Sequence, residues 1–111
     1  MAVFSNIKLA NPIVLTATPS VFYTCPANIA TIVSSLSVAN SSANTATFSI
    51  YFVPSGGSPG LSNVIIPSGS LPGFSLANFS LGQVMTAGDK IYAEASVANV
   101  LTLHGSGITQ I

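Results

Sequence analysis

The side chains able to do acid–base, nucleophilic or metal chemistry are few: Cys25, Asp89, Glu94 and His104, with Lys8 and Lys90 as the only cations. Catalysis by paired carboxylates would have to use Asp89 and Glu94. Five positions apart on an extended strand, they differ in parity and stand roughly 16 Å apart by the rise per residue, too far for the ~5–10 Å a glycosidase pair needs. A Ser–His–Asp triad could only combine His104 with Asp89 and a serine, and no G-x-S-x-G elbow frames one. One histidine, one cysteine and two acids without ligand spacing do not make a metal site. No phosphate-cradling glycine motif occurs. Two lysines cannot neutralise a track of nucleic-acid phosphates. The expectation is therefore no enzyme, no catalytic, cofactor-binding or metal-binding residue, no cofactor and no nucleic-acid partner.

Single residues read in the same way. Cys25 has no partner for an intrachain disulfide and no cationic neighbour in sequence, so it is expected to be a small buried hydrophobe beside Pro26. His104 is expected at the surface or in an interface. Asn40-Ser41-Ser42 and Asn78-Phe79-Ser80 match the N-glycosylation pattern by chance, since no signal peptide is read: Lys8 follows rather than leads a short apolar stretch that Asn11-Pro12 interrupts. Tyr23, Tyr51 and Tyr92 could line a carbohydrate platform, though strand aromatics more often serve packing.

Such a chain must do its work with surfaces. It has 111 residues, enough for one core, and 49% are hydrophobic, which excludes disorder. Only 4% are charged, against about 25% in ordinary domains, and the net charge is zero. Serine, threonine and asparagine replace the missing charges. Hydroxyls and amides form hydrogen bonds without the desolvation that ions demand, so this surface suits burial in an interface. No apolar run reaches the ~18 residues of a membrane span. The chain begins with Met1, and its length is that expected of a complete small gene product.

The elements that carry this surface read as strands. From Ala46, the residues Ala46, Phe48, Ile50 and Phe52 alternate with Thr47, Ser49 and Tyr51, a period of two that places one row inward and one outward. Ile91, Ala93, Ala95 and Val97 alternate in the same way with Lys90, Tyr92, Glu94 and Ser96. In Ile29–Ala39 the heavier parity is Ala30, Ile32, Ser34, Leu36 and Val38, expected inward. Asn40–Asn44 has hairpin length, so this strand is expected to pair with Thr45–Val53. Shorter strands are expected at 13–17, 21–25, 61–66, 74–81, 101–104 and 108–111, with a bulge near Asn78 bringing Phe74, Leu76, Phe79 and Leu81 to one face. Proline and glycine clusters separate them. Eight to ten short strands and no helix predict an all-β fold, an antiparallel β-sandwich or jelly-roll-like domain over residues 13–111. Residues 1–12 form an N-terminal arm or edge strand.

Five stretches, in order, resemble small phage virion structural proteins: VFYTCP (Val21–Pro26), Ala30–Asn40 ending in LSVAN, TFSIYFVPSGG (Thr47–Gly57), AGDKIYAEA (Ala87–Ala95) and Gly105-Ser106-Gly107-Ile108. The resemblance spans Ser20 to Gly107. Each motif is turn chemistry, and their order is what tells. It implies a capsid decoration (cement) protein of the virion, assembled in the host cytoplasm. Its partners would be itself, as a homotrimer, and the major capsid protein, with no membrane and no nucleic acid. Tail, baseplate or head-fibre modules are similar to the same pattern. A carbohydrate-binding sandwich for host attachment is the alternative from another class.

Overall fold

The computed structural model describes residues 3–110; Met1, Ala2 and Ile111, which belong to the N-terminal stretch and last strand of the sequence reading, lie outside them. Nine strands follow in order: β1 (Phe4–Lys8), β2 (Ile13–Val14), β3 (Ser20–Thr24), β4 (Ala30–Asn40), β5 (Ala46–Val53), β6 (Val64–Leu71), β7 (Leu76–Met85), β8 (Lys90–Ala95) and β9 (Leu101–Gln110). They make two antiparallel sheets. The first has the order β1-β9-β4-β7, with β2 also on β9; the second has the order β3-β8-β5-β6.

Pairings nest within one another: β5 with β6, β4 with β7, β3 with β8, and β1 and β2 with β9. A long antiparallel ribbon folded over on itself gives this order, which is that of a jelly roll. The all-β sandwich expected from the sequence is thus observed. Between the sheets lies one core, in which Leu15, Val33, Leu36, Val38, Ile50, Ile91, Leu101 and Leu103 are buried.

Strands β5 and β8 keep the expected faces through Ile50 and Ala95: Ala46, Phe48 and Ile50, and Ile91, Ala93 and Ala95, are buried. Phe52, by contrast, is only partly buried against the core, and Val53, of the other parity, is buried. Elsewhere the structure corrects the reading. The connection after β4 does not close a hairpin, for β4 and β5 belong to different sheets. Its few residues instead cross the ~10 Å between packed sheets. Buried Asn40 holds that corner. Its Nδ2 donates to the carbonyl oxygens of Asn44 (2.9 Å), Leu71 (3.1 Å) and Pro72 (3.2 Å), and its Oδ1 accepts from Ser42 N (2.9 Å) and Ser42 Oγ (2.8 Å).

Strand β4 changes face midway. Thr31 and Val33 point inward, then Leu36 and Val38, because the register against both β7 and β9 shifts between Val33 and Ser35. An extra residue at this bulge flips the parity. Thus Ala30 and Ile32 leave the core. Strand β6 does not end at Pro67. It runs on to Leu71 as an edge strand, where a proline is tolerated, with Ser68 at φ 48° in a bulge whose N–H donates to Ser49 Oγ at 3.0 Å.

No bulge forms near Asn78. Ala77, Phe79 and Leu81 turn toward the core, while Phe74 and Leu76 are exposed; the irregularity lies at Leu81–Gly82, where β7 has one residue more than β4. Val97 lies beyond the end of β8 and is exposed. The last two expected strands are one, β9, which passes straight through Gly105-Ser106-Gly107. A Cβ on Gly105 would lie 2.8 Å from Phe22 and 2.9 Å from Leu36, and one on Gly107 would lie 2.4 Å from the Ile32 carbonyl oxygen. These glycines clear space for packing rather than making a turn.

Candidate interaction surface

The chemistry-bearing side chains do not converge. Cys25 is buried, and its Sγ contacts the Ile29 carbonyl oxygen (3.3 Å) and Thr31 Oγ1 (3.5 Å). Thr31 is also bound by Tyr23 Oη at 2.8 Å, so Tyr23 is a core residue and not part of a surface platform. Burial pushes the Tyr23 hydroxyl pKa up.

Asp89 acts as a clamp between loops. It accepts hydrogen bonds from Thr86 N (2.9 Å), Thr86 Oγ1 (3.2 Å) and, across the chain, Ser55 N (3.0 Å). The Thr86 N–H, first among these donors, holds its carboxyl below the usual range. Gly88, at φ 86°, supplies the left-handed turn that brings Asp89 round.

Glu94 points out from β8 and accepts a hydrogen bond from Tyr51 Oη on β5. That bond raises the Tyr51 pKa, because removing the phenol proton would leave two negative groups in contact. Tyr92 pairs directly with Tyr51 in the ladder. Of the three tyrosines, two therefore share the outer face of the second sheet. On either side of Glu94 lie shallow depressions. One is lined by Thr47, Ser49, Ser68 and Ser96, the other by Tyr51, Leu61, Val64 and Pro67.

The first sheet's outer face is a field of hydroxyls. Ser35 Oγ and Ser106 Oγ are 2.8 Å apart, and Ser37 Oγ donates to Asn78 Oδ1 at 2.7 Å. His104 is exposed here, where the sequence expected a surface histidine, in a depression of about 320 Å³ shared with Lys8, Ser35, Ser37 and Ser106. Of the two sequons, Asn40 is buried with its amide spent on backbone carbonyls, while Asn78 is exposed. No three of His, Cys, Asp and Glu come together among the described residues. These faces offer hydrogen bonds to another surface; the one phenol held against a carboxylate among the described residues is Tyr51 on Glu94.

Sequence reasoning offered an edge strand only within residues 1–12 and did not say which other strands lie outermost. Strand β3 is short and broken by a register shift between Val21 and Tyr23. Strand β6 carries Pro67 and two register shifts. The β1–β2 edge is two short pieces, with Lys8 ending the first and Pro12 preceding the second. Strand β7 is different: ten residues, LANFSLGQVM, with no proline and no charge, flanked by exposed Phe74 and bearing exposed Leu76 and Val84. Its composition was visible in the sequence; its place at an edge was not.

No protein-family model and no curated protein matches this sequence. Solved structures match in fold. A chain of the T13 particle of infectious bursal disease virus superposes with a TM-score of 0.59 at 11% identity, covering 99% of this chain and 31% of that one. The Gx strain of the same virus gives 0.57 at 12% identity, covering 99% and 32%. Bacillus endospore appendages, described as a family of disulfide-linked pili, give 0.54 at 13% identity, covering 99% and 88%. This chain therefore spans about a third of the viral chains and most of the appendage subunit. At these identities the likeness is one of fold.

Proposed function

We propose that this chain is a non-enzymatic structural protein of a virion. Its best-fitting role is a capsid decoration (cement) protein that stabilises a phage head by bridging coat subunits. The observation that carries the reading is the pair of outer faces. They present serine, threonine, asparagine and tyrosine around a chain with only four charged residues, and the acids Asp89 and Glu94 are bound within the fold. Such faces can be buried against several neighbours with little ion desolvation. Many weak contacts made at once then resist opening of the joints. The fold likeness to chains of viral particles and the phage-like order of the sequence motifs support a virion address; assembly in the host cytoplasm is part of the proposal. In this reading residues 1–12 are the assembly-specific arm or edge strand and residues 13–111 the sandwich that carries it.

The test is binding to empty phage heads made of coat protein alone. Co-sedimentation with the heads, together with a raised temperature of head disruption, is the expected result. Heads that neither bind the chain nor gain stability overturn the decoration role.

One observation favours a second reading. The match to the endospore appendage subunit covers most of that chain, whereas the viral match covers a third. A fibrous module, of a tail, head fibre or other appendage, fits such a stand-alone subunit. Electron microscopy of the concentrated chain separates the two readings, since only the second yields filaments.

A further inference from the structure

We propose that β7 is a self-pairing edge, which joins two copies of this chain through an antiparallel β7–β7 ladder about a two-fold axis at Asn78. The inference goes beyond the virion reading and stands without it.

The backbone geometry comes first. Asn40 N donates to the Ser75 carbonyl oxygen at 2.9 Å. In the register that follows, Val38 faces Ala77 and Leu36 faces Phe79. Peptide groups of an antiparallel strand alternate in direction. Those of Ser75, Ala77 and Phe79 therefore face β4, and those of Leu76, Asn78 and Ser80 face the open edge. This unpaired run precedes the irregularity at Leu81–Gly82, so it is regular over its length.

An open row of N–H and C=O groups is a template for another strand, which proteins blunt with charge, proline, bulges or brevity. The other three sheet edges have such devices: the break and Lys8 at β1–β2, the register shift in β3, and Pro67 with its bulges in β6. Strand β7 lacks charge and proline and is long. Because the remaining edges are guarded, the open edge that a second copy can offer is its own β7. An edge that meets itself must do so about a two-fold, antiparallel.

Side chains fit that symmetry. With Asn78 on the axis, Leu76 faces Ser80 of the second copy, and Asn78 faces its twin. The Asn78 Oδ1 accepts from Ser37 Oγ, which leaves both Nδ2 hydrogens to donate across the axis. No like charges meet, because β7 bears none. Exposed Leu76 gains a covered neighbour. The assembly then grows by twos, in place of the three-fold expected from the sequence.

Asn78 itself gives the test. In an antiparallel pair with mutual hydrogen bonds the facing Cα atoms lie about 5.5 Å apart, within the range a disulfide spans. Asn78→Cys in the full chain is expected to give a disulfide-linked dimer under mild oxidation, while the wild type, whose Cys25 is buried, does not. Leu76→Cys and Ser80→Cys are expected to cross-link when mixed and not singly. Asn78→Lys places two like charges face to face and is expected to weaken the dimer roughly tenfold or more by light scattering, with the far-ultraviolet spectrum unchanged. A wild type that stays monomeric at every concentration overturns the proposal. So does an oligomer that Asn78→Lys leaves intact and Asn78→Cys fails to lock. Pairing of this edge with a coat strand instead would show as monomers alone and Asn78→Cys cross-linking only to coat protein, and it too overturns the second-copy assignment.

Discussion

Phe48 of β5 and Phe79 of β7 meet edge to face, ring centroids 5.9 Å apart and planes at 60°. One belongs to each sheet, so the contact is a direct tie across the sandwich. Phe48 is buried, and its alternation with Thr47 and Ser49 was plain in the sequence. Phe79 reaches it because β7 keeps a regular alternation from Leu76 to Leu81.

Truncating Phe48 to alanine is expected to cost ~3–5 kcal/mol, as for other core aromatics. Phe79→Ala should cost less, since Phe79 is only partly buried. The double mutant tests the tie itself. Edge-to-face pairs couple by about 0.5–1.5 kcal/mol beyond area burial, so the two losses should be non-additive by that amount in urea denaturation. Additive losses would mean that the rings fill space independently.

Three glycines should respond to alanine in a fixed order. At Gly107 the added methyl meets a backbone carbonyl, which cannot turn away. At Gly105 it meets the side-chain ends of Phe22, Leu36 and Leu9, which can shift somewhat. Gly82 has nothing within 4 Å. Gly107→Ala is expected to destabilise most and Gly105→Ala next, within the ~1–3 kcal/mol range of overpacking. Gly82→Ala should stay within about 0.5 kcal/mol of wild type. Denaturation midpoints read the order directly, and an equal response at all three would refute the packing role.

Those glycines also show where the sequence could and could not be read. The inward rows of β5 and β8 were legible because both strands lie inside their sheet, where two neighbours enforce the alternation. The parity of β4 was legible only from Leu36 onward. Its bulge near Ser34 is set by the registers of β7 and β9, distant in sequence. Gly105-Gly107 and Pro67 carry the chemistry of turns, yet here they serve close approach and an edge bulge, and local signals do not separate those uses. Asn40–Asn44 has the length of a hairpin and the job of a crossing between sheets. For the surface, the outward row with Tyr51 and Glu94 was legible from parity, and their contact needed the β5–β8 register. The open edge at β7 was illegible, since which strand lies outermost is a property of topology.

Asn40→Asp is the sharpest single-atom test of the corner between β4 and β5. The amide nitrogen that donates to three carbonyl oxygens becomes an acceptor facing them. Burial and those dipoles raise the pKa of the new carboxyl in the folded state. The variant is therefore expected to be worst near about pH 7, by ~2–4 kcal/mol. It should recover as pH falls through the raised folded value, where the protonated acid can donate again. Melting temperatures of variant and wild type across pH check this, and a gap that stays constant or widens toward acid would contradict the assigned hydrogen bonds.

Asp89 gives the opposite slope. Its pKa is lowered in the folded chain, first by the Thr86 N–H and further by Ser55 N and the Thr86 hydroxyl. A group with a depressed folded pKa contributes stability that is fully present above its unfolded value, about 3.9, and is lost as pH falls through the folded value. With two acids in the chain, this clamp should be a visible part of acid sensitivity. Asp89→Ala is expected to lower the melting temperature at neutral pH and to flatten its fall between roughly pH 4 and pH 2. Loosening should begin at loop 54–57, where the Ser55 N–H loses its acceptor and would exchange faster with solvent. Hydrogen exchange at Ser55 that matches wild type would place the stabilisation within the Thr86–Asp89 turn alone. An unchanged acid slope would remove Asp89 from the account altogether.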